Sequence, residues 1–261
     1  MNSRTGTEKN TMRRMLLNAL IVILTGIMAY SGYQLWTIYR EYSEGTKTYD
    51  ALAEGYVKEG SPKEAGAAGD QGPACPVDID FTELRAVNPD IVGWIYCEDT
   101  PVNYPVLLGS DNDQYLHHMY NGQYNSAGSI FMDYQNHPDL SDLNTIIYGH
   151  HMKNGSMFAM LRKYRDQSYY EDHKVIWYLT PEHTYILNPV AGYVGDAVAE
   201  VYSHFQDQQQ LDTYLAFAFA HSDFKAENIP DAISRIVVLS TCSYEFQDAR
   251  YVVVCTPELI R

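Results

Sequence analysis

The chain has 261 residues, of which 46% are hydrophobic and 13% aromatic, including 23 tyrosines. This composition is sufficient for one sizeable core, and the many aromatic residues favour a β-rich domain. The formal net charge of −15 argues against nucleic acid as a partner, because the phosphate backbone repels an acidic surface.

The first element in chain order is an apolar stretch, residues 15–37, that contains no Asp, Glu, Lys or Arg. As a helix with a rise of about 1.5 Å per residue, it is long enough to cross a bilayer core of about 30 Å. A cleaved signal peptide is the alternative, but the stretch is long for one and no small-residue cleavage site follows it. We predict a transmembrane signal anchor. The four basic residues before it keep residues 1–14 in the cytoplasm as a short tail and export the rest of the chain: they are Arg4, Lys9, Arg13 and Arg14.

The segment after the anchor is polar and then rich in small residues. The chain has 18 basic and 33 acidic residues, and residues 1–40 contain five of the basic ones and one of the acidic ones. The rest of the chain therefore has 13 basic and 32 acidic residues, a formal charge of −19. Residues 38–55 are compatible with a helical stalk, and residues 60–76 are rich in Gly, Ala and Pro, which is typical of a flexible linker. We therefore assign 38–76 to a stalk and linker, and 77–261 to an extracellular folded domain.

Short apolar or alternating runs separated by turn residues fill the chain after residue 77. This pattern predicts a mainly β fold, a closed barrel or a sandwich. Helical segments are predicted after the capping residue Asp80, over 156–165, and over 207–221, where apolar residues recur at helical spacing. The predicted strands are 91–97, 102–108, 129–134, 145–150, 175–179, 184–194, 197–202, 235–242 and 250–255.

The four cysteines form no CxxC pair and no evident disulfide framework, so a structural zinc site is not expected. Cys97 and Cys255 lie in apolar runs and are expected to be small buried core residues. Cys75 lies in the predicted linker as an exposed thiol. The adjacent histidines at 117 and 118 are too little for a metal site, and no metal or cofactor is expected.

The remaining cysteine, Cys242, ends the apolar run 235–242, and Arg250 opens the next run. A hairpin would bring these two together, while His150, which ends the run 145–150, could join them only through the tertiary fold. A thiolate is the nucleophilic form of cysteine and its pKa falls beside a cation. A histidine can accept the thiol proton and return it to a leaving amine, and an arginine can donate to an oxyanion or to substrate carbonyls. Taken alone, Cys242 is also compatible with an inert buried thiol, His150 with a loop residue and Arg250 with a solvated residue at a sheet edge.

The sequence around these residues resembles that of the class B sortases. VLSTCSYEFQDAR is similar to the TLSTC…R signature of that family, with Val238 in place of the usual Thr. NTIIYGHHMKNGSMFAML is similar to its histidine segment, and NPDIVGWIYCEDTPVNYPVLLGSDNDQYL and GSIFMDYQN are similar to its N-terminal strands. The blocks span residues 80–261.

The resemblance implies a closed sortase-type β-barrel with added helices, one N-terminal and one in the loop before the nucleophile strand. It implies a cysteine transpeptidase on the outer face of a Gram-positive membrane. Cys242 would attack a C-terminal sorting signal, LPXTG-like or NPQTN-like, of a surface protein, and a peptidoglycan precursor amine would resolve the thioacyl intermediate. His150 would act as acid and base, and Arg250 would hold the substrate or the oxyanion. The family histidine directly follows a glycine, which selects His150 over His151, and Ser240 is an auxiliary candidate that shares the strand face of Cys242.

Three other functions compete with cell-wall anchoring. A pilin-polymerising sortase has the same catalytic residues but uses a pilin lysine as the acceptor. An L,D-transpeptidase places its arginine about two residues after the cysteine, whereas position 244 is Tyr here, so this reading is rejected. A catalytically inactive surface-binding module on the same scaffold is disfavoured by the complete set of Cys242, His150 and Arg250.

Overall fold

The N-terminal apolar stretch lies in a long helix, α1 (Arg4–Tyr56), in the computed structural model, which describes residues 4–60, 73–196, 204–242 and 248–260. Residues Met12–Tyr56 are long and apolar enough to cross a membrane. The hydroxyls of Thr25 and Thr37 donate to carbonyls four residues earlier, at 2.8 and 2.9 Å. Polar side chains in the stretch thus find partners inside the helix, as a hydrocarbon environment requires.

The last turns of α1 belong to the folded domain. The chain divides into two compact units at Glu44 and Gly45, and in the second unit Tyr49 and Leu52 are 2% and 3% exposed. The Tyr49 hydroxyl donates to the carbonyl of Gly128 at 2.7 Å. Of the segment 38–55, predicted as a helical stalk, the part from Gly45 onwards lies in the second compact unit.

We expect Leu52→Ala to lower the free energy of unfolding of the domain by about 2–5 kcal/mol, the usual cost of removing a buried leucine side chain. Chemical denaturation of the full chain in detergent, followed by tryptophan fluorescence, measures this. The matched control is Val87→Ala, which truncates a 45% exposed side chain and should cost less than about 0.5 kcal/mol. Equal losses of unfolding free energy in the two variants would show that this part of α1 does not contribute to the core of the domain.

A small strand pair follows α1. β1 (Val57–Glu59) pairs antiparallel with β2 (Val77–Ile79), and the Gly60 amide donates to the carbonyl of Pro76 at 2.8 Å. Residues 61–72, most of the predicted linker, lie outside the described residues. The next element is α2 (Phe81–Val87), and its N-terminus is capped as predicted, since the Asp80 carboxylate accepts from the amide of Glu83.

Eight strands follow: β3 (Ile91–Tyr96), β4 (Asn103–Leu108), β5 (Ile130–Met132), β6 (Asn144–Tyr148), β7 (Ile176–Leu179), β8 (Thr184–Asp196), β9 (Ile236–Cys242) and β10 (Ala249–Leu259). They close into a barrel in the order β10-β8-β7-β3-β4-β5-β6-β9. The mainly β, closed-barrel prediction is therefore confirmed. Neighbouring strands are antiparallel except for the pairs β4–β5 and β6–β9, which are parallel. The predicted strand 197–202 lies outside the described residues.

Helical segments cover parts of the barrel. The predicted helix 156–165 forms instead a 3₁₀ segment, Ala159–Arg165, which follows a left-handed residue, Met157, with φ of 57°. It still buries Met160, Leu161 and Tyr164. A short helix, α3 (Gln167–Asp172), comes directly after it.

The helix predicted over 207–221 is α4 (Gln208–His221), with Asp207 as its N-cap. Its apolar face packs into a core cluster with residues of β6, β8, β9 and β10. The buried residues of this face are Leu211, Tyr214, Leu215 and Ala218. Phe217 and Phe219 lie outside it and are exposed. Through this cluster, α4 packs on β9, the strand that ends at Cys242, and on its neighbour β10.

Candidate active site

Cys242 and Arg250 are direct neighbours in the ladder between β9 and β10. Opposed residues of an antiparallel pair have Cβ atoms about 4.5–5.5 Å apart and point to the same face of the sheet. The thiol and the guanidinium therefore emerge side by side at the end of β9. Of the connection between them, residues 243–247 lie outside the described residues.

His150 reaches the same end of the barrel through β6. This strand runs parallel to β9, with Tyr148 opposite Ser240, and the amide of Gly149 donates to the carbonyl of Ser240 at 3.1 Å. A Cβ atom on Gly149 would lie 2.7 Å from the Phe158 ring, closer than packed carbons approach. Only glycine therefore lets the chain pass here and present the next residue, His150.

One cleft, with a volume of about 230 Å³, is lined by all four predicted residues, Cys242, His150, Arg250 and Ser240. His151 lines a different cavity, beside Met152 and Lys153. The sequence did not identify the other side chains of the cleft. Tyr148 could have been found from its position two residues before His150, but Asn112 and Leu116 lie in a turn-rich segment with no periodic pattern.

Ser240 and Cys242 differ in exposure. Ser240 is 1% exposed, and its carbonyl is the acceptor for Gly149. Cys242 is half-buried and forms no disulfide, and it lies at the end of the strand, where a substrate carbonyl can approach its sulfur. Ser240 therefore supports the strand and the cleft wall, whereas Cys242 has the access that a nucleophile needs.

His150 is neutral near pH 7 in these surroundings. Burial is the main cause that lowers its pKa below 6.5, and the nearby His117 and Arg250 act in the same direction, against a hydrogen bond to Leu116. The ring stacks on that of His117 with centroids 5.8 Å apart. Nε2 lies 2.7 Å from the Leu116 carbonyl, and because a carbonyl can only accept, Nε2 carries the proton of the neutral ring. The lone pair is then on Nδ1.

We expect the imidazole of His150 to titrate below pH 6.5. Because its pKa is lower in the folded chain than in the unfolded one, the folded state is stabilised fully above about pH 6.5 and loses this contribution as the pH falls below it. NMR titration of labelled histidine, assigned with His150→Gln, measures the pKa. Thermal unfolding at pH 5 and 7.5 should show a smaller acid-induced loss in the variant. A pKa above 6.5 would contradict the burial of the ring.

The other cysteines have different surroundings. Cys97 and Cys255 are buried, as predicted, and burial raises the pKa of Cys97 to about 11 and that of Cys255 further. Their thiols stay protonated and cannot be nucleophiles at neutral pH. Cys75 is half-buried. Within the described ranges, no group of three His, Cys, Asp or Glu residues is placed to hold a metal ion.

Comparison with known proteins gives a consistent result. A family model described as Sortase domain matches residues 95–258. Sortase B of Listeria monocytogenes is 33% identical over 230 residues, which cover 87% of this chain and 89% of that protein. Sortase B of Staphylococcus aureus is 29% identical over 246 residues, 94% of this chain and 97% of that protein.

Solved structures agree with the sequence comparison. The Staphylococcus aureus sortase B–substrate complex has a TM-score of 0.64 and 33% identity, over 69% of this chain and 85% of that one. Sortase B from B. anthracis in complex with AAEK1 has a TM-score of 0.69 and 30% identity, over 85% of this chain and 99% of that one.

Proposed function

The chain belongs to the sortase family of cysteine transpeptidases, and from that premise we propose that Cys242, His150 and Arg250 are its catalytic residues. The observation that carries this proposal is the direct pairing of Cys242 with Arg250 on β9 and β10, beside the one cleft that His150 also lines. A thiol, a neutral imidazole and a fixed cation are what acyl transfer through a thioester requires.

In the first half-reaction, the sulfur of Cys242 attacks the carbonyl carbon of a Thr–Gly-type bond. Nδ1 of His150 accepts the thiol proton, and the guanidinium of Arg250 donates to the oxyanion or to the substrate carbonyls. The C–N bond breaks, and His150 returns the proton to the leaving amine. The acylated half of the substrate then remains on Cys242 as a thioester.

In the second half-reaction, an acceptor amine attacks the thioester carbon. His150 takes a proton from the attacking nitrogen, the C–S bond breaks and the thiol of Cys242 is restored. Atoms and charge balance over the cycle with no cofactor, because one amide bond is exchanged for another. Ser240, which supports the cleft wall, is an auxiliary residue in this scheme.

We propose that the substrates are surface proteins with an LPXTG-like or NPQTN-like C-terminal signal, and that the acceptor is a peptidoglycan precursor amine. The likeness to a sortase B solved with its substrate supports a sorting signal as the ligand of the cleft. The apolar stretch 15–37 would anchor the enzyme in the membrane with residues 1–14 in the cytoplasm and the domain outside, in reach of both substrates.

A library of fluorogenic peptides, varied at the first two motif positions, tests this function on the full chain in detergent. We expect one motif class to be cleaved with at least about tenfold preference in kcat/KM. Mass spectrometry of products formed with an added peptidoglycan stem peptide or a pilin-type lysine peptide then identifies the acceptor. No cleavage of any library member would reject the proposed signal class, and transfer to the lysine peptide alone would favour pilin assembly.

A further inference from the structure

A buried carboxylate lies behind one wall of the cleft. Asp133, directly after β5, is 6% exposed, and none of the catalytic steps above uses it. Its Oδ2 accepts from the Asn112 amide at 2.8 Å and from the Tyr148 hydroxyl at 2.9 Å. Its Oδ1 accepts from the amide of Gln135 at 3.0 Å and lies 3.9 Å from Nε2 of His204. A buried carboxylate is tolerated only when donors surround it in this way.

The two side chains that donate to Oδ2 both line the catalytic cleft. They come from different parts of the chain, Asn112 from the segment after β4 and Tyr148 from the end of β6. Asn112 is held at its other end too, since its Oδ1 accepts from the amide of Tyr134 at 3.0 Å. Asp133 therefore joins two segments of the cleft lining through one atom.

These hydrogen bonds determine which groups of the cleft wall can donate a hydrogen bond to a ligand and which can accept one. A hydroxyl has one proton, and that of Tyr148 is donated to Asp133, so its oxygen can only accept from other groups. The Asn112 amide nitrogen has one further proton to donate. The wall then offers an acceptor at Tyr148 and a donor at Asn112, the pair that a peptide N–H and a peptide or side-chain carbonyl would match.

We propose that Asp133 is a positioning residue for the sorting-signal peptide, which it acts on through Tyr148 and Asn112 by fixing both side chains and the polarity of the wall. This inference rests on the proposed function, because the cleft must bind a peptide for its polarity to matter. The carboxylate touches neither the reacting carbonyl nor the thiol, so its effect falls on substrate binding more than on the chemical step.

The test is steady-state cleavage of a fluorogenic sorting-signal peptide by the full chain in detergent. Asp133→Asn keeps the size of the side chain but turns one oxygen into an NH₂ group, so at least one of the two sets of donors loses its acceptor. We expect KM to rise about tenfold with kcat changed less than about threefold, the loss expected for a hydrogen bond to a charged group. The matched control is Asp142→Asn. Asp142 also lies between β5 and β6 and accepts from Asn136 and His137, but it does not line the cleft, and its KM should be that of wild type.

Tyr148→Phe keeps the test decisive if Asp133→Asn fails to fold. It removes only the hydroxyl, and KM should rise by a similar factor. In the double variant the two effects should not multiply, since both remove one coupled pair. Wild-type chain that cleaves no peptide would reject the proposed function. An active wild type with equal KM in the Asp133 and Asp142 variants, an unchanged KM in Tyr148→Phe, or multiplying effects would overturn the positioning role alone.

Discussion

Replacing Cys242 by alanine is expected to lower kcat/KM for sorting-signal cleavage by about 10⁴-fold or more, because the sulfur proposed to form the thioester is lost. The fold should survive, since the side chain is half-buried at the end of β9 and fills no core position. The measurement is cleavage of the preferred fluorogenic peptide, together with intact-protein mass spectrometry of the acyl-enzyme. Wild type should gain the mass of the acyl fragment when the acceptor is withheld, and Cys242→Ala should not.

Cys75→Ala provides the matched control. It removes a second accessible thiol that lies in the segment between β1 and β2, outside the cleft. We expect kcat/KM within about twofold of wild type, since no step of acyl transfer uses this sulfur. Full cleavage by Cys242→Ala, or an acyl adduct on another cysteine, would contradict the assignment of Cys242 as the nucleophile.

Replacing Arg250 by alanine is expected to lower kcat/KM about 10²- to 10³-fold, the usual cost of losing one donor to a developing oxyanion. Arg250→Lys should recover only part of this loss, because an ammonium keeps the charge but lacks the planar fork of donors. The guanidinium is fixed locally, since its Nη1 donates to the carbonyl of Ala249 at 3.2 Å. Steady-state kinetics of the three enzymes on one peptide measure the order wild type, lysine, alanine.

Arg235→Ala distinguishes a local role from a general loss of charge. Arg235 comes directly before β9, at the end of the strand opposite to Cys242, so the same charge is removed far from the chemistry. Its kcat/KM should stay within about threefold of wild type. If Arg235→Ala and Arg250→Ala are equally impaired, the overall charge of the domain matters and the guanidinium at the cleft does not.

The sequence predicted those parts of the site that depend on neighbouring strands. Cys242 and Arg250 end and open two consecutive apolar runs, so a hairpin was enough to expect their pairing. His150 arrives by parallel pairing of β6 with β9, strands about 90 residues apart in the chain. No periodicity predicts such a pairing, and the choice of His150 over His151 rested on the resemblance of the histidine segment to a known family.

The parts that the sequence could not predict depend on contacts among irregular segments. The Asp133 network joins Asp133 and Asn112, both in irregular segments, to Tyr148 at the end of β6, and such hydrogen bonds leave no hydrophobic pattern to follow. The end of α1 was assigned to the stalk for a related reason, since Tyr49 and Leu52 are the two large apolar side chains it buries. A helix that contributes so few apolar side chains to a core looks polar and solvent-exposed when its sequence is considered alone.

The ladder that pairs Cys242 with Arg250 makes the spacing of these two side chains independent of the length of the segment that connects them. The distance between thiol and guanidinium is set by the strands, and not by the length of the loop that joins them. Doubling a loop costs only about 0.6 kcal/mol in closure entropy, a small fraction of domain stability. Insertions between positions 243 and 248 are therefore compatible with an unchanged spacing of the two side chains. For enzyme engineering, this part of the sequence can be lengthened or replaced while β9 and β10 keep Cys242 and Arg250 paired.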